Sequence, residues 1–492
     1  MLTVGVDLGK KSKHVAVVVD DLAKEIGKPF KFNTSAEGIE SLIDYLKSIK
    51  PGENNFRFIM EPTPTWRLIG TYLRGLGYEV CLVGQAETHD LRKALDRHKR
   101  TDRLDALTLA RVPYVMPEKI HAAAIPPDEK WDALYRGVKK EKKMAGMIAA
   151  MKQAILELAE ESIPGVTRVI PDISEPLAKL IYSDYLDPRK IASFSYESFR
   201  TELEEKLGRN IDGSKVESLI SLSREALKLH RFGYISLDSI SEELHEELMV
   251  LNALEIGQQK LQLKNYELYN SLDPNNHILS IPGIGKVLAP VFLVLSFIVA
   301  GMDNSKKLRS YAGFVPNVSK SGLSDKKGTK MTKAGPGWLK RAVFLAADVA
   351  RRTDPQLSMV YYRSMTEKGN HHTKAVCEVG VHLLDRVFRV LKNDVPYELR
   401  SPEGFPISKA ESQEIIRSRY IVPEEVRKSR RNRKREAFDI RDDTRRQLPA
   451  RQPSSTIKNT TSQCVKSSQP EVIGKVLKNS LPEKVKKQLD IA

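Results

Sequence analysis

Cysteine is scarce: Cys81, Cys377 and Cys464 are the only three among 492 residues, and they lie far apart. That number and spacing make neither a disulfide framework nor a cysteine zinc site, and they fit a reducing compartment. No apolar run reaches membrane-spanning length, so no membrane is expected as a partner. No basic-then-apolar leader opens the chain, since Met1 runs straight into a strand-like stretch, and a soluble, intracellular protein is the expectation. A Gly-x-x-x-x-Gly-Lys-Ser/Thr loop is also missing, which removes the usual cradle for a nucleoside triphosphate. No convincing internal repeat is present.

Positive charge is abundant instead. Eighty Lys and Arg face 63 Asp and Glu, a formal net charge of +17, and the sequence pI is about 9.5. A polyanionic partner follows, with nucleic acid the commonest. Hydrophobic residues make up 41% of the chain, enough for folded cores, and the length suits two or three domains.

Residues 1–112 read as α/β. Leu2–Asp7, His14–Asp20 and Pro29–Asn33 are strand-like runs joined by short turns. A helix capped by Thr34 or Ser35 should run to Lys50, with Ile39, Leu42, Ile43 and Leu46 on one face. Phe56–Glu61 is the next strand, Thr65–Leu76 a helix stopped by Gly77, and Glu79–Val83 another strand. The order β-β-β-α-β-α-β resembles the ribonuclease-H-like nuclease fold. Asp7 and Glu61 close two of these strands, where acids aim at the crevice in which open α/β sheets bind ligands. Asp102 and Asp105 stand three apart on a segment that continues as helix, about one turn apart on one face. An Asp-x-x-Asp pair alone is commonly a solvated or capping pair. Four acids at element ends of one α/β unit instead suit a pair of hard cations, Mg²⁺ or Mn²⁺. Arg100 and Arg103 flank the helical pair and predict a positive neighbourhood suited to phosphate.

From about 126 to 272 the pattern turns helical, over Trp131–Glu161 and Ile240–Tyr269 above all, with interruptions at Pro164-Gly165 and Asn210–Gly213. Ile148, Met151, Ile155 and Leu158 form one apolar stripe and Leu244, Leu248, Leu251 and Leu254 another. A helical spacer, coiled-coil-like and able to carry dimer contacts, is expected. Residues 275–395 follow. Pro282-Gly283-Ile284-Gly285 reads as a tight turn between helices, with a helix opening at about Lys286. The backbone N–H groups of such a helix-hairpin-helix turn can hold a DNA phosphate. Beyond it, Lys320, Lys326, Lys327, Lys330 and Lys333 are interleaved with Gly, Ser and Thr, a loop able to approach phosphates closely. Ser321 precedes Gly322, which leaves its hydroxyl accessible; a Ser-Gly pair alone is weak support for a nucleophile. From 396 to 492 the chain reads as a basic, largely disordered tail with the run Arg427-Lys-Ser-Arg-Arg-Asn-Arg-Lys-Arg435.

Several segments together resemble the DEDD transposases of prokaryotic insertion sequences, relatives of the Piv DNA invertase, a family that includes bridge-RNA-guided recombinases. They are Gly5-Val-Asp7, Glu61 with Thr63 and Trp66, Arg100-Thr-Asp-x-x-Asp-Ala106, Ser280-Ile-Pro-Gly-Ile-Gly285, Tyr311-Ala-Gly-Phe-Val-Pro316, Ser321-Gly322 and Lys333-Ala-Gly335. The resemblance implies a RuvC-like domain with Asp7, Glu61, Asp102 and Asp105 as a metal-binding tetrad for two ions. It further implies Ser321 as a nucleophile forming a covalent link to DNA, in a mostly helical transposase domain. Double-stranded donor and target DNA, a structured guide RNA, a homodimer or homotetramer with shared active sites, and a prokaryotic cytoplasmic or nucleoid location complete the implied picture. The helical middle is longer than the family leads one to expect. Competing readings are a metal-dependent nuclease or junction resolvase, a guide-independent invertase, and a nucleic-acid-binding scaffold whose acids hold no metal.

Overall fold

The computed structural model describes residues 1–9, 12–95, 101–316, 320–321, 324–325, 331–332 and 334–430. The chain divides into two units, residues 1–430 and 431–492, and the second lies outside the described residues. The architecture is mixed α/β at the start and mostly helical thereafter.

The α/β part is built on a six-stranded sheet of order β3-β2-β1-β4-β5-β6. Its strands are β1 (Leu2–Asp7), β2 (His14–Val19), β3 (Glu25–Phe32), β4 (Phe56–Met60), β5 (Glu79–Leu82) and β6 (His121–Ala122). β1, β2 and β3 pair antiparallel, as short connections allow, while β1, β4 and β5 are parallel neighbours joined through helices. Helix α1 (Ala36–Ile49) is capped by Ser35, whose hydroxyl accepts the Gly38 N–H, and α2 (Trp66–Gly75) follows β4. Both cover one sheet face, packing Leu42, Leu46, Ile69 and Leu73 on Leu2, Val4, Val6 and Phe58. Helices α3 (Gln85–Leu95) and α4 (Asp102–Val115) cover the other. There Val15, Val17 and Val19 meet Ala106 and Ala110, and Ile59 meets Leu91 and Leu109. Strand period two divides β1 between the faces: Val4 and Val6 look to α1 and α2, Gly5 and Asp7 to α4. The expected strands and two helices are present, and α3 and β6 add to them.

Two long helices organise the rest, α5 (Glu129–Ser162) and α11 (Leu237–Leu272). They run antiparallel, bringing Gly137 to Asn265, Glu141 to Gln258 and Gln262, and Lys152 to Glu255. Between them in sequence lie α6 (Val166–Val169), α7 (Pro176–Leu180), α8 (Pro188–Ala192), α9 (Tyr196–Leu207) and α10 (Gly213–Leu229). These pack on the far end of the pair in a core holding Ile148, Ile155, Leu244 and Leu251, the centres of the two expected stripes.

The near end of the pair, with Leu134, Val138 and Tyr269, enters a second core. That core is made by α12 (Ala289–Leu293), α13 (Leu295–Val299), α14 (Ser305–Ala312), α15 (Gly337–Ala350), α16 (Pro355–Thr366) and α17 (His372–Asn393). A short ladder joins β7 (Lys320–Ser321) to β8 (Ser324–Asp325). Order continues past the boundary expected at 396. Helix α18 (Lys409–Arg419) follows, residues 424–430 are helical, and Ser412 and Val422 are buried. The tail expected from 396 is therefore folded as far as Arg430, because scattered residues such as Tyr397, Ile416 and Val422 find partners on α15, α16 and α17 without forming a periodic stripe.

Candidate metal centre

Gly5 makes the site possible. A Cβ built on it would stand 2.0 Å from the Ala106 carbonyl oxygen and 2.3 Å from the Ala110 amide nitrogen. Only a residue without a side chain lets α4 lie this close on β1, and that brings the first turn of α4 over the end of the strand. Thr101 starts the helix there, its hydroxyl accepting the Leu104 N–H at 3.3 Å. Asp102 and Asp105 thus fall in a first turn, where negative charge is favoured by the helix dipole.

The parallel register pairs Val6 with Met60, so Asp7 and Glu61 leave adjacent strands at the same level. Three carboxylates act on Asp7: its pKa is pushed up to about 6, first by burial and then by the charges of Asp105, Asp102 and Glu61, against a lowering bond from the Leu8 backbone. The structure therefore brings together Asp7, Glu61, Asp102 and Asp105. Among the described residues no group of three or more His, Cys, Asp or Glu side chains is arranged to hold a metal ion. Two of the acids are engaged by other side chains. The Thr88 hydroxyl donates to Glu61 Oε1, and Arg92 Nε stands 3.3 Å from Asp105 Oδ1. Both lie on α3, which sequence reading missed. Its only signal is a modest face of Thr88, Leu91 and Leu95 in a polar stretch.

An all-oxygen set of four carboxylates, one held protonated to about pH 6 by burial and its like-charged neighbours, fits a hard divalent cation. A cation would relieve that repulsion, and release of the Thr88 and Arg92 contacts would free Glu61 and Asp105 to turn inward.

The other expected residues fare differently. Arg103 does not join the carboxylates; its guanidinium forks onto Glu25 of β3, at 3.2 and 2.6 Å. Arg100, Lys326, Lys327, Lys330 and Lys333 lie outside the described residues, and of Lys320 and Ser321 only the backbone is described. The Gly283–Gly285 turn is present, but no pair of full helices flanks it. A single 3₁₀ turn at His277–Ser280 precedes it, and α12 opens at Ala289 rather than Lys286, after Leu288 and Ala289 donate back to the Gly285 carbonyl. Gly283 has φ +87°, and a Cβ there would stand 2.2 Å from the Ala346 carbonyl oxygen. Its glycine is thus explained by helix packing on α15. The Lys286 ammonium sits 5.4 Å over the Tyr266 ring.

Comparison with known proteins agrees with this layout. The family model for the DEDD transposase of IS110, described as a transposase, matches residues 4–164. One described as the transposase IS116/IS110/IS902 family matches 275–362. An uncharacterized 43.6 kDa protein of insertion element IS110 from Streptomyces coelicolor is 33% identical over 129 residues, 26% of this chain and 31% of that protein. A pilin gene-inverting protein of Moraxella bovis is 27% identical over 142 residues, 28% of this chain and 44% of the relative. An uncharacterized 42 kDa protein of insertion element IS900 from Mycobacterium paratuberculosis is 29% identical over 160 residues, 32% and 39% of the two chains. The matched stretches span less than half the length of each of these relatives. With the four acids gathered under the first match and the helical second match following in the same order, the chain belongs to the DEDD transposases of insertion sequences.

Proposed function

We propose that this chain is a DNA transposase or site-specific recombinase that cuts and rejoins phosphodiesters. In this reading Asp7, Glu61, Asp102 and Asp105 hold two Mg²⁺ or Mn²⁺ ions, Ser321 is the nucleophile, and the sheet is an RNase H-like, RuvC-like nuclease fold. The observation that carries it is the convergence on Asp7 of three carboxylates from the end of β4 and from α4. Such a concentration of like charge opposes folding, and bound divalent cations would relieve it.

Bound ions would neutralise the scissile phosphate and the oxygens entering and leaving it. The chain's own residues do the rest. Gly5 sets the height of α4 over β1, Thr88 orients Glu61, and Arg92 steadies Asp105 until the site is filled. The Ser321 hydroxyl would attack the scissile phosphate, exchanging one P–O ester bond for another and releasing a DNA hydroxyl, so a DNA hydroxyl can later displace the serine and rejoining needs no nucleotide. The β7–β8 ladder carries Ser321 with one acid, Asp325, too few to hold two ions, which supports completion of the site by a second protomer. A structured guide RNA selects donor and target DNA in this reading.

Ser321→Ala should bind DNA and RNA yet form no covalent adduct, and mixing it with Asp102→Ala should restore partial recombination. An adduct persisting in Ser321→Ala removes that serine and favours water-driven nuclease or resolvase chemistry. A second reading is inversion without a guide, of which the relatives named pilin gene-inverting proteins support the inversion alone. Sequencing RNA that copurifies, and repeating recombination after RNase, separates the two.

A further inference from the structure

The basic run beginning at Arg427 is rooted in the fold. Val422 is buried, Val426 packs on the core of α15–α17, and the Tyr420 ring lies 6.0 Å from that of Tyr362. The helical turn 424–430 is thereby laid along α16 and the start of α17. Arg430 Nε donates to the Met365 carbonyl at 3.4 Å, and its guanidinium lies against Gly369, where a Cβ would stand 3.3 Å from Nη2. Arg427 is close enough to act electrostatically on the Tyr361 hydroxyl.

Other cations meet it there. Arg351 stacks on the Tyr361 ring at 4.2 Å. Arg351 and Arg352 both reach Asp348, at 2.7 and 2.9 Å, and His372 Nε2 stands 3.7 Å from the same carboxylate. The Tyr361 hydroxyl lies 2.9 Å from His372 Nδ1, which locks the ring between them. Arg351 and Arg352 thus share the Asp348 carboxylate, while Arg430 bonds to the Met365 carbonyl and Arg427 lies near the Tyr361 hydroxyl. Glu424 of the same turn is taken by Lys428 at 3.0 Å, and Glu425, two residues from Arg427, falls on a different face of the turn. Among the described residues no carboxylate pairs with Arg427 or Arg430 within 4 Å.

We propose that the end of α15, the start of α17 and the turn 424–430 form a binding site for the phosphodiester backbone of a nucleic acid. Guanidinium forks suit phosphate oxygens, and the Tyr361 ring under Arg351, with the Asp348 carboxylate on Arg351 and Arg352, lowers the entropy those two lose on binding. Continuity favours a polymer over a single anion, because seven of the nine residues from Arg427 to Arg435 are Lys or Arg. The site carries no exposed aromatic platform for bases among the described residues, so binding is to the backbone and independent of sequence. The choice of a polynucleotide rests on the recombinase reading; the surplus of positive charge does not.

The test is the salt dependence of binding by the full chain, in EDTA to stop cleavage, to a fluorescent mixed-sequence duplex DNA and to a fluorescent hairpin RNA. The exposed pair is substituted as R352A/R427A and, to keep the charge, R352K/R427K. The alanine pair should make the slope of log K against log salt shallower by about 2, since each duplex phosphate that a protein cation neutralises adds about 0.9 to that slope. Affinity should fall equally for unrelated sequences, and the lysine pair should recover the slope. A change with DNA alone or RNA alone supports the site and names the source of the phosphates. An unchanged slope with both probes overturns it, as does a loss that follows a fallen Tm and is not recovered by lysine. A wild-type protein that binds as described but neither cleaves nor forms an adduct leaves this site standing and removes the recombinase chemistry.

Discussion

Asp7 and Asp354 are both aspartates drawn out of bulk water, and their surroundings are opposite. Asp354 has no exposed surface. It caps α16 by accepting the Leu357 N–H at 3.1 Å, takes Arg386 Nε at 3.1 Å and receives the Tyr397 hydroxyl at 2.8 Å. Arg386 is itself completed by Gln356 at 3.0 Å. Both carboxylate oxygens have donors, and the network ties residues 396–430 to the helical core. Asp7 is instead half-buried near three more carboxylates, and its pKa rises, first through burial and then through their charge. One region uses its buried charge to hold the chain together. The other keeps an imbalance that the fold alone does not resolve, the usual mark of a functional site.

That contrast can be broken from either side. The largest effect should come from Asp105→Asn or Asp102→Ala, which should take Mg²⁺-dependent strand cleavage to background while melting temperature and DNA binding stay near wild type. Full cleavage by either variant would end the tetrad assignment. Asp354→Ala should do the reverse. Leaving Arg386 buried without its carboxylate should cost about 3–5 kcal/mol in urea unfolding, with loss of ordered structure first in residues 396–430 by hydrogen exchange.

Gly5→Ala sharpens the comparison, since it touches no charge. The added methyl forces α4 off β1, at a cost of roughly 1–3 kcal/mol, and cleavage should fall well below what the remaining folded fraction explains. The smallest effect is a gain. Because the folded pKa of Asp7 is about 6, above that of an unfolded aspartate, the native state binds the extra proton between about pH 4 and 6. Without metal, stability should decline as pH rises through that window. Asp7→Asn should flatten the decline and raise stability at pH 7 by about 1 kcal/mol, after allowance for solvent screening. Added Mg²⁺ should stabilise the wild type at pH 7 and not the variant. Equal pH profiles with and without the substitution would place Asp7 outside the cluster.

Much of this is legible in the amino-acid string. The short apolar runs of β1 and β2, buried on both faces, the capped periodicity of α1 and the two stripes of the long helices are local patterns that burial merely confirms. The four acids can be named because strand ends and a helix start are visible in sequence. What sequence hides is pairwise. Nothing in the string couples Gly5 to Ala106 or Thr88 to Glu61, and the polar stretch forming α3 carries too little apolar signal. Arg103 resembles a phosphate ligand because Glu25, its partner, lies far away in the chain. Residues 396–430 read as unstructured because their anchors are dispersed single contacts such as Tyr397 on Asp354.

The α5–α11 pair has a consequence for how such proteins can grow. At about 1.5 Å per residue, helices of 34 and 36 residues reach about 50 Å. Their near end is locked by Asn265, whose side-chain oxygen sits where a Gly137 Cβ would be, and by Glu141 held between Gln258, Gln262 and Arg341. The far end carries a separate hydrophobic cluster. Register is thus set at the root, while everything from about Met151 to Leu251 is cargo on a two-stranded stalk. Equal insertions or deletions in both helices, in steps that restore the facing side, would slide that cargo outward or inward without disturbing the root. A longer middle region would then be a change of stalk and load, achieved without redesigning the parts that the two helices join.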